Sequence, residues 1–340
     1  MTRYSRQERF NPIGKVGQQK IRNKHVLLIG IGALGTSLAE GLVRAGIGRL
    51  TIMDRDYVEW SNLQRQKLFT ENDAIDHTPK VIAAKNALQK MNFDCEIDAY
   101  VCDVGPVELE QLKAKMNIDL ILDGTDNFET RLVINDFAQK YQIPWIYGAC
   151  VGSYGISYTI IPRETPCLYC LLEAIPLGGA TCDTAGIISP TVQLVTSLQL
   201  VESLKLLTEN RNAMRETLYT FDLWENSTRE LTIQPLKKSD CPCCGDEKTH
   251  PFLDDQAMSR SAVLCGRDAV QIRPSHYHQT DLEVVANKLR EIGLVVKKND
   301  QLLIMEENRH RIVLFKDGRA IVHGTTDKNE AKSIYHRYLG

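Results

Sequence analysis

No apolar run in this chain approaches the ~18 residues needed to span a membrane. The opening Met1-Thr2-Arg3-Tyr4-Ser5-Arg6-Gln7-Glu8-Arg9 is charged and has no apolar signal core, so neither export nor membrane insertion is expected. Basic charge is not in excess: 41 Lys and Arg face 43 Asp and Glu, a net charge of -2. That balance supplies no field for a nucleic-acid partner. Internal repeats and low-complexity segments are also lacking. These absences point to a cytoplasmic protein, in which ten cysteines imply metal or catalytic chemistry and not a disulfide framework. With 43% hydrophobic and 25% charged residues, the 340-residue chain has the composition and length for one large α/β core plus a small appendage.

The apolar pattern gives the order of elements. His25-Val26-Leu27-Leu28-Ile29 reads as a buried parallel strand, followed by a helix over Thr36–Ala45 that Gly46 and Gly48 stop. Leu50–Met53 closes a βαβ unit. Pro79 then starts a helix over Lys80–Met91, and strands are expected at Cys95–Val101, Asp119–Asp123 and Pro144–Gly148, with a helix over Arg131–Lys140. Such alternation predicts an α/β, doubly wound, Rossmann-like and mainly parallel sheet. Strands at Ser157–Ile161 and within Leu218–Ile233 flank a helix over Val192–Leu207, and Leu177–Ser189 reads as a mobile loop. Residues 1–252 form the predicted main domain and 253–340 a small C-terminal α+β unit. In that unit strands are expected at Ala269–Ile272, near Leu294, Leu302 and Ile312, and at Ala320–His323. Helices should cover Asp281–Ile292 and Asp327–Tyr338, and Lys316–Arg319 should form a hairpin turn.

Between the first strand and helix stands Gly30-Ile31-Gly32-Ala33-Leu34-Gly35. Glycine at this spacing lets the backbone turn tightly and brings a phosphate up to a helix N-terminus. Nineteen residues after Gly35, Asp54 ends the second strand, where a carboxylate accepts a hydrogen bond from a ribose hydroxyl. The plain alternative is a structural turn whose glycines serve only packing.

A triphosphate carries more charge than a dinucleotide pyrophosphate and calls for extra cations. Arg65 and Lys80 can supply them, with Asn62 and Gln66 as neutral donors. Asp126 falls in the loop after the fourth strand, at the carboxyl end of the sheet, where a lone carboxylate beside phosphates suits Mg²⁺. From spacing alone, Arg65 and Lys80 could equally be a solvated face.

Taken together, Gly30 to Gly35, Asp54, Ser61-Asn62-Leu63-Gln64-Arg65-Gln66, Pro79-Lys80 and Thr125-Asp126-Asn127 resemble the ThiF/MoeB family, bacterial relatives of the ubiquitin-activating enzymes. The resemblance covers roughly residues 1–250 and includes the opening Arg3-Tyr4-Ser5-Arg6-Gln7. Ala33 departs from it, since many members carry glycine there, but alanine is small enough to leave nucleotide binding intact. The resemblance implies ATP-dependent adenylation of the C-terminal glycine carboxylate of a ubiquitin-like sulfur-carrier protein ending in Gly-Gly, with release of pyrophosphate. It further implies that Gly30, Gly32, Ala33 and Gly35 hold the nucleotide, Asp54 the ribose, and Asn62, Arg65, Gln66 and Lys80 the phosphates. Asp126 would take Mg²⁺. Arg6 would reach the phosphates of the neighbouring subunit in a homodimer.

Cys167-Leu168-Tyr169-Cys170 and Cys241-Pro242-Cys243-Cys244 are two C-x-x-C units that can close a tetrahedral Zn²⁺ site, and the family has a structural zinc at this place. Spacing favours Cys167, Cys170, Cys241 and Cys244, with Cys243 a competing ligand; the plain alternative is four reduced thiols. Cys182, in Ala180–Gly186, resembles the loop cysteine that in some relatives takes the activated carrier into a covalent link, and could otherwise be a small apolar filler. Cys265-Gly266-Arg267 does not make a rhodanese loop, because too little chain follows it and the strands come after. A docking module for the carrier or for a sulfur-donating protein is one reading of the tail; a stability or dimerisation appendage is the plainer and preferred one. The alternative for the whole chain, an NAD-dependent oxidoreductase, leaves Arg65, Lys80, Asp126 and the four cysteines without a purpose; a non-catalytic binding protein that keeps the fold and zinc has no reason to retain every phosphate-side residue.

Overall fold

A computed structural model describes residues 3–174, 185–254, 261–264, 268–273 and 279–338. Residues 3–174 and 186–254 belong to one compact unit and residues 261–338 to a second. The first is built on an eight-stranded sheet in the order β3-β2-β1-β4-β5-β6-β7-β8. These strands are β1 (His25–Ile29), β2 (Arg49–Asp54), β3 (Glu96–Val101), β4 (Leu120–Asp123), β5 (Trp145–Val151), β6 (Tyr154–Ile160), β7 (Thr217–Asp222) and β8 (Ser227–Thr232). β1 to β5 run parallel, and β6, β7 and β8 are added antiparallel.

All five residues of β1 are buried, as a central strand covered on both faces requires. It pairs with β2 on one side and β4 on the other, setting Leu28 beside Ile52 and Leu122. Successive crossovers therefore leave β1 in opposite directions, and the crevice at its carboxyl end is the switch point where open α/β sheets bind ligands. Helices Ala33–Ala45 and Ser189–Leu207 pack on one another, and the second also covers β5 and β6. Toward the far edge the cover ends: every residue of β8 is exposed.

The expected strands are all present: some match at both ends, β3 and β4 begin one residue later, and β2, β5 and β6 run one to three residues further at an end. The first helix begins at Ala33 and not Thr36, since Gly32 is already its N-cap, and the helix expected at Arg131 begins at Phe128, capped by Asn127. Helices Gly14–Arg22, Glu71–Ile75, Pro106–Lys115 and Leu168–Ala174 carry too short an apolar stripe to stand out in the sequence. Of the predicted loop Leu177–Ser189, residues 175–184 lie outside the described residues. Its end is tied to the rest of the unit: Gly152 donates to the Gly186 carbonyl (2.8 Å) and Ile188 donates back to the Gly152 carbonyl (3.2 Å). Ser189 already belongs to the next helix, with Pro190 in its first turn.

The second unit contains a six-stranded antiparallel sheet and two helices, Leu282–Glu291 and Lys328–Tyr338. Alternate residues Leu303, Met305, Ile312, Leu314, Ala320 and Val322 form its core with Leu282, Ala286, Leu289, Ile334 and Tyr335. The hairpin at Lys316–Arg319 closes with Phe315 donating to the Arg319 carbonyl at 2.8 Å. The strand expected near Leu294 runs over Val296–Lys298, and Ser261–Leu264 is a further strand too short to read from sequence. Cys265–Arg267 lie outside the described residues.

Candidate active site and cysteine centre

The glycine loop owes its form to contacts that no side chain fits. Gly30 has φ +87°, and a Cβ there would lie 2.6 Å from the Gly124 carbonyl carbon and oxygen. At Gly35 a Cβ would lie 1.9 Å from the Gly30 carbonyl oxygen. Gly32 is different: a Cβ on it would meet only Gln66 Nε2, at 3.9 Å, so space lies open above the helix start. Gly32 is the N-cap of Ala33–Ala45 and no side chain caps it. The first-turn amides thus present a partial positive charge to that space, and Ala33, the first helical residue, adds only a methyl group.

Asp54, at the carboxyl end of β2, accepts a hydrogen bond from the Ile31 amide (2.6 Å) and another from the Asp56 amide (2.7 Å). Burial pushes its carboxyl above the ordinary value, with Lys80 and the two amides opposing and Asp56 adding to the rise. Lys80 is 3% exposed, and its Nζ lies 3.2 Å from Asp56 Oδ2. Its backbone amide also donates to the Asp56 carbonyl at 2.9 Å, which ties the start of helix Lys80–Met91 to the segment following Asp54.

Asn62 is buried; its Oδ1 accepts from the Glu59 amide (2.9 Å) and shapes the turn Trp60–Asn62. Arg65 is half-buried and donates to the Ser61 carbonyl at 2.9 Å. Gln66 is 4% exposed, turns its amide toward Gly32, and has no hydrogen-bond partner on Oε1 among the described residues. Gln66 thus sets its amide beside the uncapped helix start, with one buried acceptor left open.

Asp126 is exposed, in a loop packed directly on the glycine loop: the Gly124 amide donates to the Ile29 carbonyl at 2.8 Å. Its charge reaches Arg55, the residue after Asp54. Burial works against the Arg55 charge, but Asp103, Asp56, Asp126 and Asp54 outweigh it and hold the guanidinium well above its usual value. The crevice therefore brings together the glycine loop, Asp54, Gln66, Lys80 and the Asp126 loop.

Arg6 stands apart from them. Nearby Tyr4 is buried against Gly46, and Gln7 Nε2 donates to the Ala45 carbonyl at 2.9 Å. The segment therefore sits at the C-terminal end of the helix whose other end carries the glycines, and thirteen helical residues span about 20 Å. Arg6 itself is exposed. Cys182 lies outside the described residues.

The second site is sulfur. The Sγ atoms of Cys167, Cys170, Cys241 and Cys244 all lie within 4.8 Å of one another. Separations are 3.9 Å for Cys167–Cys170, 3.7 Å for Cys167–Cys241 and 3.6 Å for Cys170–Cys244. A tetrahedron of metal–sulfur bonds about 2.3 Å long has edges of about 3.8 Å. Cys243 is buried but turned to Asp136. Although a hydrogen bond with Cys167 pulls its thiol down, burial and the Asp136 charge push it up to about 11. The close cluster of four sulfurs does not include it.

Neighbouring residues on helix Phe128–Tyr141 hold both halves of that centre. Asn135 Oδ1 accepts from the Leu168 amide (2.8 Å), and Asp136 Oδ2 accepts from the Phe252 amide (2.9 Å). Neither is apparent from sequence, since a polar residue in mid-helix usually faces water. Asp56, Asp123 and Arg131 escape a sequence reading for a similar reason, though Asp123 closing the apolar Leu120-Ile121-Leu122 is a signal.

Residues 4–243 match the model of the ThiF family. The chain belongs to the ThiF family. Among its curated relatives, the sulfur carrier protein ThiS adenylyltransferase of Bacillus subtilis (strain 168) is 51% identical over 338 residues, 99% of each chain. The molybdopterin-synthase adenylyltransferase of Escherichia coli (strain K12) is 32% identical over 72% of this chain and 96% of its own. A crystal structure of E. coli MccB with ATP matches with a TM-score of 0.61 at 20% identity, covering 72% of this chain and 75% of that one. At that identity the likeness is one of fold, and it is the ThiF-type Rossmann sheet described above.

Proposed function

We propose that this protein is an ATP-dependent adenylyltransferase that activates the C-terminal glycine carboxylate of the ubiquitin-like sulfur carrier of thiamine thiazole synthesis. The observation that carries the reading is the convergence of an uncapped glycine-loop helix, Asp54, Gln66, Lys80 and the exposed Asp126 in one crevice of a ThiF-family sheet. The choice of carrier follows the Bacillus relative, whose likeness runs through the C-terminal unit, whereas the molybdopterin relative covers 72% of the chain.

In the reaction, a carboxylate oxygen of the carrier attacks the α-phosphorus of ATP. The new O–P bond forms as the bond to the bridging oxygen breaks, and pyrophosphate leaves with that electron pair. No general base takes part, because the attacking carboxylate is already ionised at neutral pH. An anion must meet a polyanion, so catalysis is alignment plus charge neutralisation. The helix amides and Gln66 hold phosphate oxygens, Asp54 holds the ribose, and Lys80 and Arg65 spread the phosphate charge. Asp126 would hold Mg²⁺, which when bound would supply divalent charge to help pyrophosphate leave.

Arg6 completes the site of the partner in a homodimer, since its own glycine loop is about a helix length away. The four thiolates suit Zn²⁺ and leave it no open position, so the centre is structural. Residues 1–252 act as the adenylation domain and 253–340 as an appendage for stability or dimerisation.

ATP–pyrophosphate exchange with purified carriers tests the reading. Exchange driven by the thiamine carrier supports it. Exchange with only the molybdopterin carrier moves the protein to that pathway, and none with either defeats it.

A further inference from the structure

We propose that Arg131 is the positioning residue for Asp126: its buried ion pair with Asp123 locks the loop Gly124–Asn127, so that the one exposed side chain there is aimed at the nucleotide-bound cation. The inference rests on Asp126 holding Mg²⁺ and goes beyond it by naming what sets the carboxylate in place. Arg131 is 4% exposed, so it does not itself meet a ligand.

Its guanidinium reaches the end of β4, the loop around Asp126 and the middle of neighbouring β5. Nε donates to Asp123 Oδ2 at 2.8 Å, and Nη2 donates to the Thr125 carbonyl at 2.6 Å and the Gly148 carbonyl at 3.2 Å. Asp123 turns its other oxygen to the same residue: Oδ1 accepts from the Thr125 amide at 2.8 Å and the Thr125 hydroxyl at 2.7 Å. Thr125 is thus gripped at its amide, its hydroxyl and its carbonyl by one ion pair. On the other side of Asp126, Asn127 is held as a helix cap by its bond from the Glu129 amide at 2.9 Å. Both neighbours are fixed, and Asp126 alone points outward. The guanidinium plane also lies over the Phe128 and Tyr147 rings, 5.1 and 5.2 Å from their centres, which leaves it little freedom to turn.

A fully buried ion pair is a poor device for stability alone, because desolvation consumes much of its attraction. Here the pair sits where a backbone loop must hold one shape against a polyanion, and that use accounts for it. Lysine cannot replace it, having no planar fork to span Asp123 and two carbonyls.

The test is ATP–pyrophosphate exchange by the full-length protein with its carrier, titrated with Mg²⁺ at fixed ATP. Arg131→Lys and Arg131→Gln should raise half-saturating Mg²⁺ by about tenfold or more, with the KM for carrier within twofold. Thr125→Val, which removes one grip and no charge, should shift the Mg²⁺ curve in the same direction by less. Should an Arg131 variant fail to fold, Asp123→Asn combined with Arg131→Gln leaves no unpaired buried charge and must show the same shift. A wild-type Mg²⁺ curve in these variants, with only the melting temperature lowered, overturns the inference. Asp126→Ala is run beside them: an unchanged Mg²⁺ curve there overturns the reading of Asp126 and the inference together.

Discussion

The Asp54 carboxylate and the Ile31 amide meet at 2.6 Å, joining the acid at the end of β2 to the glycine loop after β1 before any ligand arrives. A second amide, that of Asp56, fixes the other carboxylate oxygen at 2.7 Å. Asp54 therefore shapes the loop, besides the ribose contact proposed for it. Asp54→Ala should raise the KM for ATP at least tenfold, since a hydrogen bond to a charged group is worth about 1.5–3 kcal/mol.

The same carboxyl gives the site a pH signature. Burial raises its value above the ordinary carboxylate range, so on acidification it takes up a proton earlier than an exposed aspartate does. The KM for ATP should accordingly climb on the acid side, and Asp54→Asn should flatten that limb. For folding the sign is opposite to that of a salt-bridged acid: its contribution is full below the unfolded value and is lost as pH rises through the elevated native one. Steady-state kinetics and thermal melts over the acid range check both statements.

Gly32 and Gly35 should respond differently to a single methyl group. Gly35→Ala drives a Cβ to 1.9 Å from a backbone oxygen and should destabilise the fold by at least about 2 kcal/mol. Gly32→Ala meets nothing nearer than 3.9 Å, so its melting should stay close to wild type while ATP binding weakens. Calorimetry and nucleotide titration separate the two effects.

The cysteine centre should depend on a residue that is not a ligand. Asp136 is buried between the Phe252 amide and Cys243, and burial holds its carboxyl above the ordinary value. Asp136→Asn should release metal to a chelator about ten to a hundredfold more readily, as outer-shell changes generally do. Metal content and release rate measure it, and loss of the ion from wild type should lower the melting temperature.

Arg6 offers a test by complementation. Arg6→Ala and Asp126→Ala, each inactive alone, should restore up to about a quarter of the sites when mixed, because random dimers place one complete site in half of them. No recovery after subunit exchange would put Arg6 outside the partner's site.

For Cys182 the proposed role lies in the sulfur-transfer step that follows adenylation. Cys182→Ala should leave pyrophosphate exchange intact and affect only that later transfer. Collapse of exchange in that variant would remove this division of labour.

Much of this molecule can be read from its residues, and the reason is local. The buried run His25–Ile29, the glycines after it and the proline before Lys80 each act within a turn or two of the chain. Gly30–Gly35, Asp54, Lys80 and the four cysteines stand out by spacing because their chemistry needs those residue types. The groups that position them are not legible. Arg131 reads as an ordinary helical charge until the fold sets it against Asp123, and Asn135 and Asp136 gain meaning only from amides 33 and 116 residues away. Gln199 is similar: its Nε2 bridges the Asp123 and Ile146 carbonyls, a pairing no periodicity reveals.

The exposed strand β8 has a consequence for the molecule in concentrated solution. Among the described residues it pairs only with β7, and its outer row of amides and carbonyls is a template on which another strand could add. Arg229 and Glu230 sit in the middle of that strand, on opposite faces of the pleat, so a strand adding at the edge sets side chains beside a charge on either face. These two residues guard the open edge against stacking chain on chain. Replacing both by valine should leave the crevice untouched and make the edge prone to strand addition, read as concentration-dependent aggregation.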